Sequence, residues 1–325
     1  MSALLSARLR ACTAAACAAL SVAACGQRQP SGHLEPIRLV QGVFHEDALP
    51  PTSSEGPGVT GVEIPGTVLT VGQPGRLVTG RVDEEAFAIA VRLGDLGAGY
   101  WLQPVEGFDP AFPGERTFQL ELDVGGGVPT GLHDLRLVAI DEAGRAGEPF
   151  EVEVCVVDDT SGSGLSVCDD TLEPPHTVVS LVWDADVDLD LVAITPSGKR
   201  VDARHPTTID RVDGAPISAG QLADSTVGVL VRDSNAGCIL DGRNAERLEW
   251  RAPPLEGGAF NVYADLFDGC GEAAVTFVLS VYRRETREDG TFRLVEETRR
   301  EGQLQRLAGR GGATQPLYLT TVIFD

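Results

Sequence analysis

Apolar and polar residues alternate in short stretches along most of this chain, and this alternation constrains its fold more than any other feature. In an extended strand over residues 117–122, the side chains of Phe118, Leu120 and Leu122 lie on one face. The same period recurs at residues 135–139 and 150–154. The chain also contains 38 glycines and 20 prolines, and it lacks long helical periods. We therefore predict an all-β protein made of two β-sandwiches, because 325 residues suggest two domains.

The first sandwich is predicted at residues 59–157. The run Gly131-Leu132-His133-Asp134-Leu135-Arg136-Leu137, which continues to Gly144, resembles the closing hairpin of bacterial immunoglobulin-like domains. This resemblance implies about seven strands over 100 residues. Where His133 falls, the family often has an aromatic residue. We interpret His133 as a structural corner residue and not as a catalytic one.

The second sandwich is predicted at residues 175–325, after a linker at 158–174. Its sequence runs from a strand ending at Trp183 through an aspartate run and a Pro-Ser-Gly turn to Gly258-Ala259-Phe260. This order resembles an uncharacterised domain of exported bacterial proteins, akin to the pre-peptidase C-terminal modules of secreted proteases. The resemblance implies a jelly-roll-like sandwich with an accessory role. Where that family has Gly-Pro before a glutamate, this chain has Asn244-Ala245 before Glu246.

Residues 1–24 predict an export signal. Arg8 and Arg10 precede an apolar core at residues 11–24, which is shorter than the roughly 20 residues that span a bilayer. The run that ends at Cys25, Val-Ala-Ala-Cys, resembles a bacterial lipoprotein box, which implies that Cys25 is acylated, for example with palmitate. An ordinary secretory signal is the alternative.

The residue after Cys25 is glycine and not the aspartate that retains many lipoproteins at the inner membrane, so the resemblance favours the outer membrane. Residues 25–58 follow as a lipidated N-terminus rich in proline, serine and glycine. We predict a flexible tether there, with residues 37–40 as a candidate edge strand.

Four cysteines remain once Cys25 and the signal segment are set aside. An even number of cysteines in an exported chain predicts disulfides. Of the three possible pairings we favour the two local ones, Cys155 with Cys168 and Cys238 with Cys270. A zinc site is the alternative, but no Cys-x-x-Cys spacing or neighbouring histidine supports it.

The chain is strongly acidic, with 26 basic and 48 acidic side chains and a formal net charge of −22. Such a surface repels phosphate backbones, so we expect no nucleic-acid partner. It also repels anionic lipids, so membrane attachment depends on the lipid anchor. Divalent cations, basic peptides and neutral glycans are compatible partners.

Carboxylates are concentrated at the start of the second sandwich. Asp184, Asp186, Asp188 and Asp190 share a parity and would line one side of a strand. A Ca²⁺ ion, which takes six to eight oxygens, would relieve their repulsion. If the chain bends at Ala185, some of them can converge with acids of a facing loop. The hypothetical ligand set is Asp184, Asp186, Asp188, Asp233, Asp241 and Glu246. The alternative is that Asp186 and Asp188 accept backbone hydrogen bonds while the other acids are merely exposed.

Motifs for catalysis are missing from the sequence. It contains neither Gly-x-Ser-x-Gly nor His-Glu-x-x-His. We therefore expect a non-catalytic envelope lipoprotein that presents its sandwiches to an envelope protein or glycan, or that has a purely structural role. The alternative is a carbohydrate-active or proteolytic enzyme accessory.

Overall fold

Two β-sandwiches follow one another in the computed structural model, which confirms the predicted all-β fold. The structure describes residues 32–158, 164–210, 216–309, 311 and 315–325. The predicted signal and Cys25 lie outside these residues. Residues 32–325 form one compact unit. Within the described ranges, no helix is long and apolar enough to cross a bilayer.

The first sandwich contains ten strands in two sheets. A four-stranded sheet has the order β1-β8-β5-β3, and a six-stranded sheet has the order β2-β7-β6-β9-β10-β4. All pairs are antiparallel except β10 with β4. The strands are β1 (Ile37–Leu39), β2 (Val43–His45), β3 (Val59–Glu63), β4 (Val68–Thr70), β5 (Arg76–Asp83), β6 (Ala86–Leu93), β7 (Tyr100–Pro104), β8 (Glu115–Val124), β9 (Gly131–Asp141) and β10 (Phe150–Val157).

The alternation read from the sequence builds the core of this sandwich. Phe118, Leu120 and Leu122 of β8 are each at most 1% exposed and pack between the sheets. Strands β9 and β10 form the expected hairpin, with Phe150 opposite Leu137. The side chains on one face of each strand are apolar, and burying them against the facing sheet stabilises the sandwich.

The segment predicted as a flexible tether is folded from residue 32 onward. Strand β1 pairs with β8, and strand β2 pairs with β7. Ile37 and Leu39 are buried in the core, and Leu49 packs on the outer face of the six-stranded sheet. Prolines and glycines suggested a solvated linker, but the apolar residues between them cover the two sheets. The tether prediction is therefore corrected for residues 32–58, while the candidate edge strand at residues 37–40 is confirmed as β1.

Among its described residues, the second sandwich has nine strands. Its five-stranded sheet has the order β14-β15-β11-β17-β18, and its four-stranded sheet has the order β13-β12-β16-β19. One short helix, α1 (Ala219–Leu222), lies in a connection. The strands are β11 (Thr177–Trp183), β12 (Asp188–Ile194), β13 (Arg200–Val201), β14 (Val229–Leu230), β15 (Ala245–Trp250), β16 (Gly258–Asp268), β17 (Ala274–Thr286), β18 (Phe292–Gln305) and β19 (Leu317–Phe324).

The five-stranded sheet is apolar on both faces near the first sandwich. Its inner face packs in the second core, where Trp250 is fully buried. On its outer face, Val178, Tyr282 and Leu294 belong to the core of the first sandwich. The long hairpin of β17 and β18 also contacts the first sandwich, since Arg287 Nη2 lies 2.6 Å from Asp134 Oδ2. The two sandwiches therefore share an apolar interface.

Both predicted disulfides are present. Cys155 of β10 is bonded to Cys168 in the connection between the sandwiches, and Cys238 is bonded to Cys270 within the second sandwich. Disulfides persist in oxidising compartments, so the two bonds indicate an exported protein.

Candidate metal centre

Strand β12 places aspartates and leucines on opposite faces. Leu189 and Leu191 point into the second core and are at most 1% exposed. Asp188 and Asp190 have the opposite parity, so they lie on the outer face of the four-stranded sheet. A bulge between residues 188 and 189 shifts the pairing with β16 at this point. Bulges commonly re-aim side chains beside functional sites.

A loop between β14 and β15 brings a third carboxylate, Asp233, to this face. Asn235 fixes the loop: its side-chain amide donates to the Val187 carbonyl (3.0 Å) and to Asn244 Oδ1 (2.8 Å). The Gly237 N–H donates to Asp188 Oδ2 (2.7 Å). The loop is thus held against the start of β12 by hydrogen bonds from its own residues.

The three aspartates form a compact cluster. Oxygen atoms of Asp188, Asp190 and Asp233 lie within 4.8 Å of one another. In the described part of the chain, none of the three forms an ion pair. Of the two arginines that line the same cleft, Arg200 is already engaged, since it contacts Asp202 (2.6 Å) and Asp265 (3.1 Å). The cluster therefore carries negative charge that no cationic side chain in direct contact offsets.

Burial and mutual repulsion make this charge costly. Burial, followed by the charges of Asp188 and Asp233, raises the pKa of Asp190 to about 7. Burial and the charge of Asp233 raise the pKa of Asp188 to about 6, against the Gly237 hydrogen bond, which lowers it. The pKa of Asp233 is also raised, chiefly by burial and by Asp241. A bound cation would reverse these shifts because it favours the ionised carboxylates.

The separation of the oxygens suits a Ca²⁺ ion. Ca²⁺ binds oxygens at about 2.3–2.6 Å, so two ligands on opposite sides of the ion are about 4.6–5.2 Å apart. A spread of at most 4.8 Å places all three carboxylates within reach of one ion. Three carboxylates supply between three and six oxygens, and water can complete the shell.

Glu246 lies behind the cluster and is fully buried. It accepts hydrogen bonds from the backbone N–H of Leu191 (2.7 Å) and of Ser234 (3.2 Å), so it joins β12 to the loop that carries Asp233. Burial raises its pKa well above the usual range, against these two hydrogen bonds. Glu246 therefore positions the loop and is not one of the clustered oxygens.

The predicted ligand set is corrected by this geometry. Asp188 and Asp233 belong to the cluster, and Asp190 joins them. Asp184 and Asp186 are exposed in the bend before β12, where Asp184 accepts a hydrogen bond from the Thr276 N–H (2.7 Å). The prediction assumed one extended strand through the run, but the strand begins only at Asp188. Asp241 lies in the same loop as Asp233, where it accepts from Ser234 Oγ (2.8 Å).

The disulfide between Cys238 and Cys270 joins this loop to the segment that follows β16. Cys238 follows Gly237 directly, and Cys270 follows the end of β16. Asn235, Cys238 and Cys270 all have positive φ angles, which are uncommon for residues other than glycine. The covalent bond and the Asn235 hydrogen bonds hold the backbone in this arrangement.

The cluster opens into a cleft of about 400 Å³. Arg200, Arg204, His205 and Phe267 line it together with the acids. The cleft combines fixed carboxylates with two guanidinium groups, an imidazole ring and a phenyl ring. It can therefore hold a cation and present polar groups beside it.

No protein-family model matches the chain, and no curated protein matches it. Solved structures with some similarity include fibronectin(III)-like modules of CbhA from Clostridium thermocellum, with 12% identity and a TM-score of 0.19. That match covers 78% of this chain and 97% of the other. The major pilin subunit BcpA of Bacillus cereus matches with 14% identity and a TM-score of 0.17, over 77% of this chain and 67% of the pilin. At these scores the fold assignment depends on the sheets described above.

Proposed function

We propose that the chain is an exported, lipid-anchored binding protein without catalytic activity, in which Ca²⁺ orders a recognition loop on the second sandwich. The observation that carries the proposal is the cluster of Asp188, Asp190 and Asp233, whose oxygens lie within 4.8 Å of one another. A cation in this cluster would hold β12 and the loop of residues 231–243 together. The loop would then present its surface to an envelope protein or glycan.

The exposed side of the loop supports a protein partner in particular. Ile239 and Leu240 are 78% and 52% exposed and follow the disulfide-bonded Cys238. Adjacent exposed aliphatic residues on a braced loop provide contact area at little entropic cost. The resemblance of this sandwich to pre-peptidase C-terminal modules agrees with an accessory role.

The ion is tested by calorimetric titration of the purified protein with Ca²⁺ or Mg²⁺, together with thermal unfolding. We expect Ca²⁺ to bind and to raise Tm, since a ligand that binds only the folded state stabilises it. Asp190→Asn should abolish binding. Asp186→Asn is the matched control because Asp186 belongs to the same aspartate run but lies outside the cluster. Equal titrations for wild type and Asp190→Asn would contradict the proposal.

The anchor is tested by the intact mass of protein from the membrane fraction, which should show acyl chains on Cys25. A Cys25→Ala variant should appear in the soluble fraction. If it stays with the membrane, the proposed anchor is wrong, while the ion site is unaffected.

The partner is tested by a pull-down from envelope extract with Ca²⁺ and with a chelator. We expect a protein or glycan that is retained only with Ca²⁺ and is lost on Ile239→Ser/Leu240→Ser. A hydrolytic activity that disappears on Asp190→Asn would instead make the chain an enzyme and contradict the non-catalytic role.

A further inference from the structure

A short segment at the start of the described chain lies between the two sandwiches. We call residues 32–36 the strap. It borders a cavity of about 160 Å³, which the β8–β9 turn of the first sandwich and strands β11, β17 and β18 of the second also line. The strap therefore contacts both sandwiches at their junction.

One carboxylate of the strap bonds both sandwiches. Glu35 Oε2 accepts a hydrogen bond from the Ala98 N–H of the first sandwich (2.9 Å). Glu35 Oε1 accepts from Arg299 Nη2 of the second sandwich (2.7 Å). Glu35 is only 7% exposed, so these contacts are largely shielded from bulk solvent.

A second carboxylate crosses the junction in the opposite direction. Glu296 of β18 accepts from the Gly97 N–H of the first sandwich (2.6 Å) and from Ser280 Oγ of β17 (2.5 Å). Arg299 lies 3.5 Å from Glu296 as well as beside Glu35. Arg299 therefore contacts both Glu35 of the strap and Glu296, the residue of the second sandwich that bonds to the first.

Two glycines shape the slot for the strap. A Cβ on Gly97 would lie 2.2 Å from Glu35 Oε2, and a Cβ on Gly125 would lie 2.7 Å from the Glu35 carbonyl oxygen. The Gly125 N–H donates to the Pro36 carbonyl (2.8 Å). A side chain at Gly97 would displace the Glu35 carboxylate, and a side chain at Gly125 would collide with the backbone of the strap.

The contacts that hold the strap differ from those of an apolar core. Its main side-chain contact is a buried ion pair, whose desolvation offsets much of its attraction. Burial accordingly raises the pKa of Glu35, against the charge of Arg299. The neighbouring cavity also leaves part of the slot unfilled. The ion pair is therefore weak evidence that the seat of the strap is strongly stabilised.

We propose that the strap is a lock on the relative orientation of the two sandwiches. When Glu35 is seated, both sandwiches are bonded through it and through Glu296. When the strap is withdrawn, Arg299 loses one carboxylate, the slot opens, and the second sandwich shifts on the apolar interface that still joins it to the first. Residue 32 is joined to the N-terminal residues, so a pull from that side reaches the lock through Gly32, which packs against Phe44 and Trp101.

Amide hydrogen exchange in the full protein tests the lock, with Glu35→Ala as the variant. Exposed Glu46 is the matched control, as Glu46→Ala. The Ala98 amide bonds to Glu35 itself, so it should exchange about tenfold faster in Glu35→Ala. The Gly97 amide bonds to Glu296, so it should also exchange faster only if the junction loosens as a unit. Small-angle scattering should show a larger radius of gyration for Glu35→Ala than for wild type. For Glu46→Ala the radius of gyration should be unchanged.

The decisive result is the behaviour of Gly97. Faster exchange at Ala98 with unchanged exchange at Gly97 and an unchanged scattering curve would overturn the lock and leave Glu35 as a local acceptor. If Glu35→Ala fails to fold by circular dichroism, Glu35→Gln takes its place, because it keeps an acceptor for Ala98 while removing the charge that Arg299 pairs with. Wild-type exchange at Gly97 in Glu35→Gln would equally overturn the proposal.

Discussion

Two groups of acidic side chains, one in each sandwich, differ in whether arginines pair with them. In the first sandwich, one group of acids is paired with arginines: Arg81 lies 2.8 Å from Glu115, and Arg136 lies 2.6 Å from Asp95 and 2.7 Å from Glu151. In the second, Asp188, Asp190 and Asp233 crowd together without such a partner in the described structure. Net charge alone does not distinguish these cases. Unpaired acids at close range, held by a braced loop, mark the region where a ligand would lower the free energy.

The largest expected effect comes from removing each disulfide in turn. We expect Cys155→Ala/Cys168→Ala and Cys238→Ala/Cys270→Ala each to lower the free energy of unfolding by about 2–4 kcal/mol. The second pair spans 32 residues and the first 13, so the second should cost about 1 kcal/mol more. Denaturant unfolding of the two double variants measures this difference.

Only the second pair should affect Ca²⁺, because only Cys238 lies in the loop that carries Asp233. The Tm increase with Ca²⁺ should persist in Cys155→Ala/Cys168→Ala and be lost or much reduced in the other variant. Equal responses of the two variants would contradict the assignment of the loop to the site.

Neutralising a single aspartate should have an intermediate effect on the free energy of unfolding, and the effect should have opposite signs in the two sandwiches. The pKa of Asp190 is raised to about 7, so wild type loses stability as pH rises from about 4 through 7. In Ca²⁺-free buffer at pH 8, Asp190→Asn should therefore be more stable than wild type, by about 1–3 kcal/mol. Below pH 4 the difference should vanish.

Asp141 of the first sandwich should behave in the opposite way. Hydrogen bonds from the backbone and side chain of Arg145 lower its pKa, against some burial. Its stabilisation is present at neutral pH and is lost as pH falls below the usual value of 3.8. Asp141→Asn should therefore destabilise the protein at pH 7. Urea unfolding at pH 4 and pH 8 tests both variants, and a shared sign would break the comparison.

The smallest effect is expected at the exposed pairs of the first sandwich. Glu151→Gln removes one partner of Arg136 and should lower the free energy of unfolding by less than about 1 kcal/mol. The loss should shrink further in 1 M salt, because salt screens exposed charges. A loss that is insensitive to salt would show that this pair is not a screened surface contact.

The sequence predicted the sandwiches and the disulfide pairing well because both depend on local signals. The alternation at Phe118, Leu120 and Leu122 sets which face is buried, and the cysteine count limits the pairings. The candidate edge strand at residues 37–40 was confirmed as β1, but the rest of the tether was mispredicted from residue 32 on, since proline and glycine content does not show which residues cover a sheet.

The site was only partly predictable for a related reason. Parity placed Asp184 to Asp190 on one side of a strand, but parity holds only where the chain is extended. The bend before Asp188 removes Asp184 and Asp186 from the cluster. The inclusion of Asp190 depends on where the loop with Asp233 crosses β12, which is a tertiary fact with no local sequence signal.

The five-stranded sheet of the second sandwich has no water-facing side where it meets its neighbour. Val178 and Tyr282 are at most 3% exposed there, although they lie outside their own sandwich's core. If the second sandwich were separated from the first at the connection, it would expose this apolar surface to solvent and would be prone to self-association. The two sandwiches should accordingly be expressed and engineered together as one unit.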